Sequence, residues 1–223
     1  MFTALVYKEW LKLRLVLWVP FLAVLTALGL VLVSFRHVKE MIGATMLWVD
    51  VALVEKVFYY DLRYVSVFAA LCFALFQFVP ECSGKRLRLL FHLPVPRRQA
   101  VYFMVGIGLA CTALVCMVAA IGLAGIVGYY MPAEAVKMVL LTAAPWFLAG
   151  IPVYLGVVLV IMEPALPHKF LHGGATVLFV LELTTTSMQG AFEYSLSLYV
   201  LACLLWVLPI ELAAYRFKRG MAW

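Results

Sequence analysis

The residues in this chain whose types and spacing could do chemistry are few, and most of them share one island. Residues 81–100 read E-C-S-G-K-R-L-R-L-L-F-H-L-P-V-P-R-R-Q-A and carry five Lys/Arg: Lys85, Arg86, Arg88, Arg97 and Arg98. Gly84 permits a turn. Leu87, Leu89, Leu90, Phe91 and Leu93 give an apolar surface, with Lys85, Arg86 and Arg88 interleaved. Pro94 and Pro96 stop any helix, so the next one restarts near Arg97. The chemistry this pattern suits is recognition. Leu and Phe side chains buried in a partner's groove supply affinity, and arginines add oriented charge contacts. The plainer reading is a basic loop that only fixes membrane topology.

Catalytic signatures are missing. The chain has no H-E-x-x-H for zinc and no G-x-S-x-G nucleophile elbow. Gly84-Lys85-Arg86 resembles the end of a P-loop, but Val79 stands where the first glycine belongs. Arg86 replaces the Ser/Thr that would hold magnesium. The chain therefore binds no ATP by itself. His92, His168 and His172 show no ligand spacing, and none of the five cysteines (Cys72, Cys82, Cys111, Cys116, Cys203) belongs to a C-x-x-C pair. Free thiols are expected, with no metal. One carboxylate is conspicuous: Glu182 lies deep in an apolar run beside Thr184, Thr185 and Thr186. In hydrocarbon it must face a cavity, pair or protonate, which makes it a candidate pathway residue. It could equally be a carboxylate near the interface, hydrogen-bonded to those hydroxyls.

The elements around these residues belong in a membrane. With 67% hydrophobic and 13% charged residues over 223 positions, the chain lies far from soluble domains, where about a quarter are charged. Crossing a core of about 30 Å takes about 20 apolar residues in a helix. Six runs qualify: residues 15–35, 64–79, 100–129, 138–162, 170–188 and 194–214. The second is short and could start within residues 52–60, and the third is long enough to tilt or project. The first is too long for a cleavable signal peptide. Pro145 and Pro152 interrupt the fourth run, and Gly122, Gly125 and Gly128 let the third approach its neighbours.

Charge orients these runs. With both termini cytoplasmic, Lys8, Lys12, Arg14, Lys85, Arg86, Arg88, Arg97, Arg98, Lys169, Arg216, Lys218 and Arg219 fall inside. Arg36, Lys39, Lys56, Arg63 and Lys137 remain outside, so 12 of the 17 basic residues obey the positive-inside rule. The net +6 is thus a topology signal, and no basic helix or RNA-binding aromatic motif points to nucleic acid. Glu163 and Glu211, near inner ends, are expected to pair with Arg216 or Lys169.

Two further stretches carry amphipathic patterns. Residues 1–14 suit an interfacial helix, with Phe2, Val6, Trp10 and Leu13 on one face and Lys8, Glu9 and Lys12 on the other. In the outer segment, residues 36–63, Ile42, Met46, Val49, Leu53 and Val57 recur at helical spacing. Leu47, Val51, Val54 and Phe58 make its reverse face apolar too. That segment either lies on the outer leaflet or begins the second span.

Glu81, Gly84, the pair Leu89-Leu90, Leu93-Pro94-Val95 and Arg97 to Ala100 together resemble a loop of the permease subunits of type-2, exporter-like ABC transporters. That loop reads E-x-x-x-G-x-x-x-x-L-L-x-x-P-V-x-R-x-x. The resemblance covers about twenty residues at motif level, and the span count and N-terminal helix extend it to the architecture. This sequence departs from the family after Arg97, where Tyr102, Phe103 and Gly106 stand in place of an expected Gly-Lys.

The resemblance implies an all-α integral membrane fold in one transmembrane domain, residues 1–223. It has six spans, an N-terminal elbow helix and, in residues 81–99, a cytoplasmic coupling helix. Glu81, Gly84, Arg88, Leu89, Leu90, Phe91, Leu93, Pro94 and Arg97 would then contact an ATPase. The implied partners are separate ABC ATPase subunits that bind ATP and Mg, a second permease (identical or related) and membrane lipids. The implied place is a bacterial inner membrane, and the implied direction is export. An intramembrane enzyme or a stand-alone secondary carrier are the rival readings. The enzyme would need convergent Glu, His or Asp groups at one depth, and the carrier an internal repeat.

Overall fold

The computed structural model describes residues 2–52, 54, 56–83, 97–185, 190, 192 and 194–219, and among them every regular element is helical. In chain order these are α1 (Phe2–Val16), α2 (Trp18–Ile42), α3 (Ala44–Ala52), a 3-10 turn (Tyr60–Leu62), α4 (Val65–Ser83) and α5 (Arg97–Tyr130). They are followed by α6 (Ala133–Leu148), α7 (Gly150–Met162), α8 (Leu166–Thr185), α9 (Leu196–Leu205) and α10 (Leu208–Arg219).

Prolines set three of the boundaries. A proline ring collides with the carbonyl four residues earlier and offers it no N–H. α1 ends at Val16, four residues before Pro20; α6 ends at Leu148, four before Pro152; α9 ends at Leu205, four before Pro209. Each break is brief, because the chain resumes helix two or three residues later. Pro80 and Pro145, by contrast, are accommodated inside α4 and α6.

Among the described residues, five segments are long and apolar enough to cross a membrane: Trp18–Ile42, Tyr60–Ser83, Gln99–Tyr130, Ala133–Met162 and Leu196–Arg216. They make the chain a helical membrane protein. The second begins at Tyr60, earlier than the apolar run alone, through the 3-10 turn. α5, with 34 residues, measures about 51 Å at 1.5 Å per residue and outruns a bilayer core.

The fifth expected span, residues 170–188, corresponds to α8 as far as Thr185; residues 186–188 lie outside the described residues. This helix is long enough, at 20 residues, but does not join the five. His168, Lys169 and His172 occupy its first two turns and Glu182 its last, which dilutes its apolarity.

The outer segment also divides. Residues 36–42 continue α2, and α3 then packs back against α2 with Leu47 and Val51 buried while Met46 and Ile42 stay exposed. Within α3 the buried residues thus come from the reverse face, but beyond it Val54 of that face is exposed and Val57 of the other is buried, so neither face is buried throughout.

α7 is the centre of the bundle. Val153, Tyr154, Leu155, Val158, Leu159 and Met162 are buried among α4, α8 and α10. Gly156 makes the α7–α8 contact possible, since a Cβ there would overlap the Thr176 side chain. At one end of the bundle, Tyr59 and Tyr60 pack on Trp146, with ring centroids 5.6 and 6.1 Å apart, and the Ser66 hydroxyl donates to the Trp146 carbonyl. The opposite end holds α1, the C-terminus of α4 and the N-terminus of α5.

Candidate functional site

α1 meets the bundle with its charges inward. Glu9, Lys12, Leu13 and Val16 fall at i, i+3, i+4 and i+7, one helical stripe that faces α2, α4 and α5. Glu9 is fully buried, whereas Val6 is 41% and Trp10 50% exposed. The expected polar face therefore points into the protein, and much of the apolar face points out. Where the surroundings are hydrocarbon, charges gain more by pairing inside, and apolar side chains lose nothing by facing outward.

The receiving surface is built on α4 and α7. Gln77 and Glu81, four residues apart on α4, share a face with Phe73 and Ala70, and both are fully buried. Tyr154 of α7 is fully buried beside them. Gly108 of α5 leaves the space they occupy, since a Cβ there would collide with the Tyr154 hydroxyl and the Gln77 side chain.

The hydrogen bonds form one chain. The Tyr154 hydroxyl donates to Gln77 Oε1 at 2.6 Å. Gln77 Nε2 donates to the Met104 carbonyl at 2.8 Å and to Glu9 Oε2 at 3.0 Å. A carboxylate only accepts, so Gln77 must turn its amide nitrogen to Glu9 and its oxygen to the tyrosine. Lys12 Nζ donates to Glu9 Oε1 at 2.9 Å and also to Glu81 Oε1, and Lys8 Nζ lies 2.9 Å from that same oxygen. Two carboxylates thus face two ammonium groups and the charges close to zero, the condition under which buried ions are tolerable. Glu81 Oε2 is buried without a hydrogen-bond partner.

This junction joins α1, α4, α5 and α7 at the stem of the basic loop. Of the residues expected there, Glu81 sits inside the junction and Arg97 opens α5. Gly84, Arg88, Leu89, Leu90, Phe91, Leu93 and Pro94 lie outside the described residues. Glu9, Gln77 and Tyr154 were not singled out from sequence. The usable signal was the pair Gln77 and Glu81 at helical spacing inside an apolar run. A buried, charge-matched cluster of this kind holds helices in register.

Elsewhere, Glu163 pairs with Arg216 at 3.3 Å, as expected. Glu182 is exposed on α8, 3.4 Å from the Tyr199 hydroxyl of α9. Thr184 and Thr185 donate instead to the Val180 and Leu181 carbonyls, at 2.7 and 2.6 Å, so their hydroxyls are spent on their own helix. All five cysteines are free, and among the described residues no group of three His, Cys, Asp or Glu is placed to hold a metal.

Fold and junction together define a class: a helical membrane protein with an N-terminal helix clamped by charge to the inside of its bundle. Comparison with protein families, with curated proteins and with solved structures found no match.

Proposed function

We propose that this chain is the permease subunit of an ATP-driven transporter of the ABC exporter type. In this reading residues 81–99 dock on separate ATPase subunits, which bind ATP and Mg. A second permease, identical or related, completes the pathway in a bacterial inner membrane, with both termini in the cytoplasm, an arrangement that takes α8 as a sixth span. The observation that carries the reading is the position of Glu81. It is the first residue of the loop pattern, and it is tied by charge to α1 and through Lys12, Glu9 and Gln77 to α5 and α7. A push on the loop would reach four helices at once, which is what rigid-body switching of a pathway requires.

The test is a purified complex. Leu90→Ala combined with Phe91→Ala removes two apolar anchors, and losing an anchored side chain at a packed interface costs about 2 kcal/mol or more. The double variant should release the ATPase or uncouple hydrolysis from transport while inserting normally. A complex that keeps its ATPase and full coupled activity overturns the proposal and leaves a topogenic loop.

A further inference from the structure

Away from the junction, a cavity of about 500 Å³ lies between α5, α6–α7 and α9. Its wall includes Ala113 and Met117 of α5, Ala144 and Ile151 of α6–α7, and Val200 and Leu204 of α9. The two polar side chains in that wall already donate their hydrogens: the Thr112 hydroxyl to the Gly108 carbonyl at 2.9 Å, and the Cys116 thiol to the Phe147 carbonyl at 3.7 Å. The rest of the wall is apolar, which suits a hydrocarbon occupant. The volume falls within the range of ligand pockets, about 300–1,000 Å³.

A second, smaller cavity of about 230 Å³ opens beside Glu134, Lys137, Met138, Leu141 and Gly190. The two cavities are connected by register. Glu134, Lys137, Leu141, Ala144 and Leu148 recur every three or four residues along one face of α6. From Glu134 to Leu148 the helix rises about 21 Å, so the charged end and the apolar cavity lie at different depths of one membrane-crossing segment. Glu134 and Lys137, both exposed, sit in the first two turns, at the end of the bundle opposite α1.

We propose that these cavities form one bipartite site for a phospholipid with an amine-bearing zwitterionic headgroup. Its acyl chain fills the space between α5, α6–α7 and α9, its phosphate meets Lys137, and its ammonium meets Glu134. Opposite charges one turn apart match a zwitterion better than a purely anionic headgroup. A primary ammonium can donate hydrogen bonds to Glu134, which a trimethylammonium cannot. The site needs no ATPase, so it stands or falls separately from the transporter reading.

The test uses the full chain in phosphatidylcholine nanodiscs doped with phosphatidylethanolamine that carries a photoreactive diazirine along its acyl chain. Cross-links should concentrate on the α5, α6–α7 and α9 residues named above. Ala144→Phe should reduce them several-fold by filling the cavity. Ala113→Leu, on the exposed part of the wall, should do the same if Ala144→Phe fails to fold. Unlabelled phosphatidylethanolamine should compete better than phosphatidylcholine, and Glu134→Gln with Lys137→Gln should abolish that preference. Labelling spread evenly over outward residues such as Leu22 and Leu25 of α2, or unchanged by both filling variants, overturns the site. Equal competition by the two lipids overturns the headgroup assignment. Disulfide-linked dimers formed efficiently through Leu204→Cys, with lipid labelling absent, would show that a second copy covers the cavity and would also overturn it.

Discussion

Gln77 makes three hydrogen bonds from one amide, and each goes to a different helix. That makes it the most exacting position in the junction. Gln77→Leu keeps the volume but leaves Glu9 Oε2 and the Tyr154 hydroxyl without their partner. Stranding buried polar groups costs about 1–3 kcal/mol each, so thermal unfolding in detergent should shift down clearly. Tyr154→Phe removes one donor and should cost only about 1 kcal/mol. Glu81→Gln is a different kind of change, because it leaves Lys8 without a carboxylate partner and Lys12 with Glu9 alone. Breaking a buried pair costs about 3–5 kcal/mol, and the partial exposure of Lys8 and Lys12 should bring the effect below that range. A double-mutant cycle on Glu9 and Gln77 should show a coupling of at least about 0.5 kcal/mol, and additive effects would mean that the bond between them is not made.

At the scale of the element, the prolines were readable in part. Pro152 interrupts the fourth run as expected, by a local clash with the carbonyl four residues earlier, whereas Pro145, expected to do the same, is accommodated inside α6. Pro20 and Pro209 follow two further helix ends that were not singled out from the sequence. Helix existence was legible because runs of about twenty apolar residues have one stable form in hydrocarbon. The facing of α1 was not legible. An amphipathic pattern says that two faces differ, and only the neighbours decide which face is inside. Here Gln77 and Glu81 offered α1 a polar surface that its own sequence could not reveal. α8 was legible as a helix, and its length suits a span, while His168, Lys169, His172 and Glu182 lower its apolarity. The close packing of α5 is open to test. Gly108→Ala should drive a methyl into Tyr154 and Gln77, and overpacking of this kind costs about 1–3 kcal/mol. Gly106→Ala, with open space around it, should be tolerated by the same thermal measurement.

For the whole molecule, the proposed orientation rests on the uneven spread of basic residues. Twelve of 17 Lys/Arg belong to one side of the bundle under the arrangement with both termini inside. Single cysteines placed in a cysteine-free background should therefore label from outside intact cells near Pro132 and remain protected at Arg88→Cys. Strong outside labelling at Arg88→Cys would invert the topology, and with it the assignment of the loop to the cytoplasm.

The junction also sets a schedule for the chain's own assembly. Glu9 is bonded to Gln77, 68 residues later, and Gln77 to Tyr154, a further 77 residues on. Ribosomes add roughly 5–20 residues per second, so Tyr154 emerges about 7–30 s after Glu9. During that interval the seat of α1 is built in two steps, since Gln77 and Glu81 arrive on α4 and Tyr154 completes the hydrogen-bond chain only later. Until α4 is made, α1 must wait at the water–lipid boundary with its charges wet. Nascent chains stalled before Gln77 should accordingly leave Lys8 and Lys12 open to amine-reactive reagents, and Lys12 should close to them once the chain is released and complete. α1 is made early and put away late.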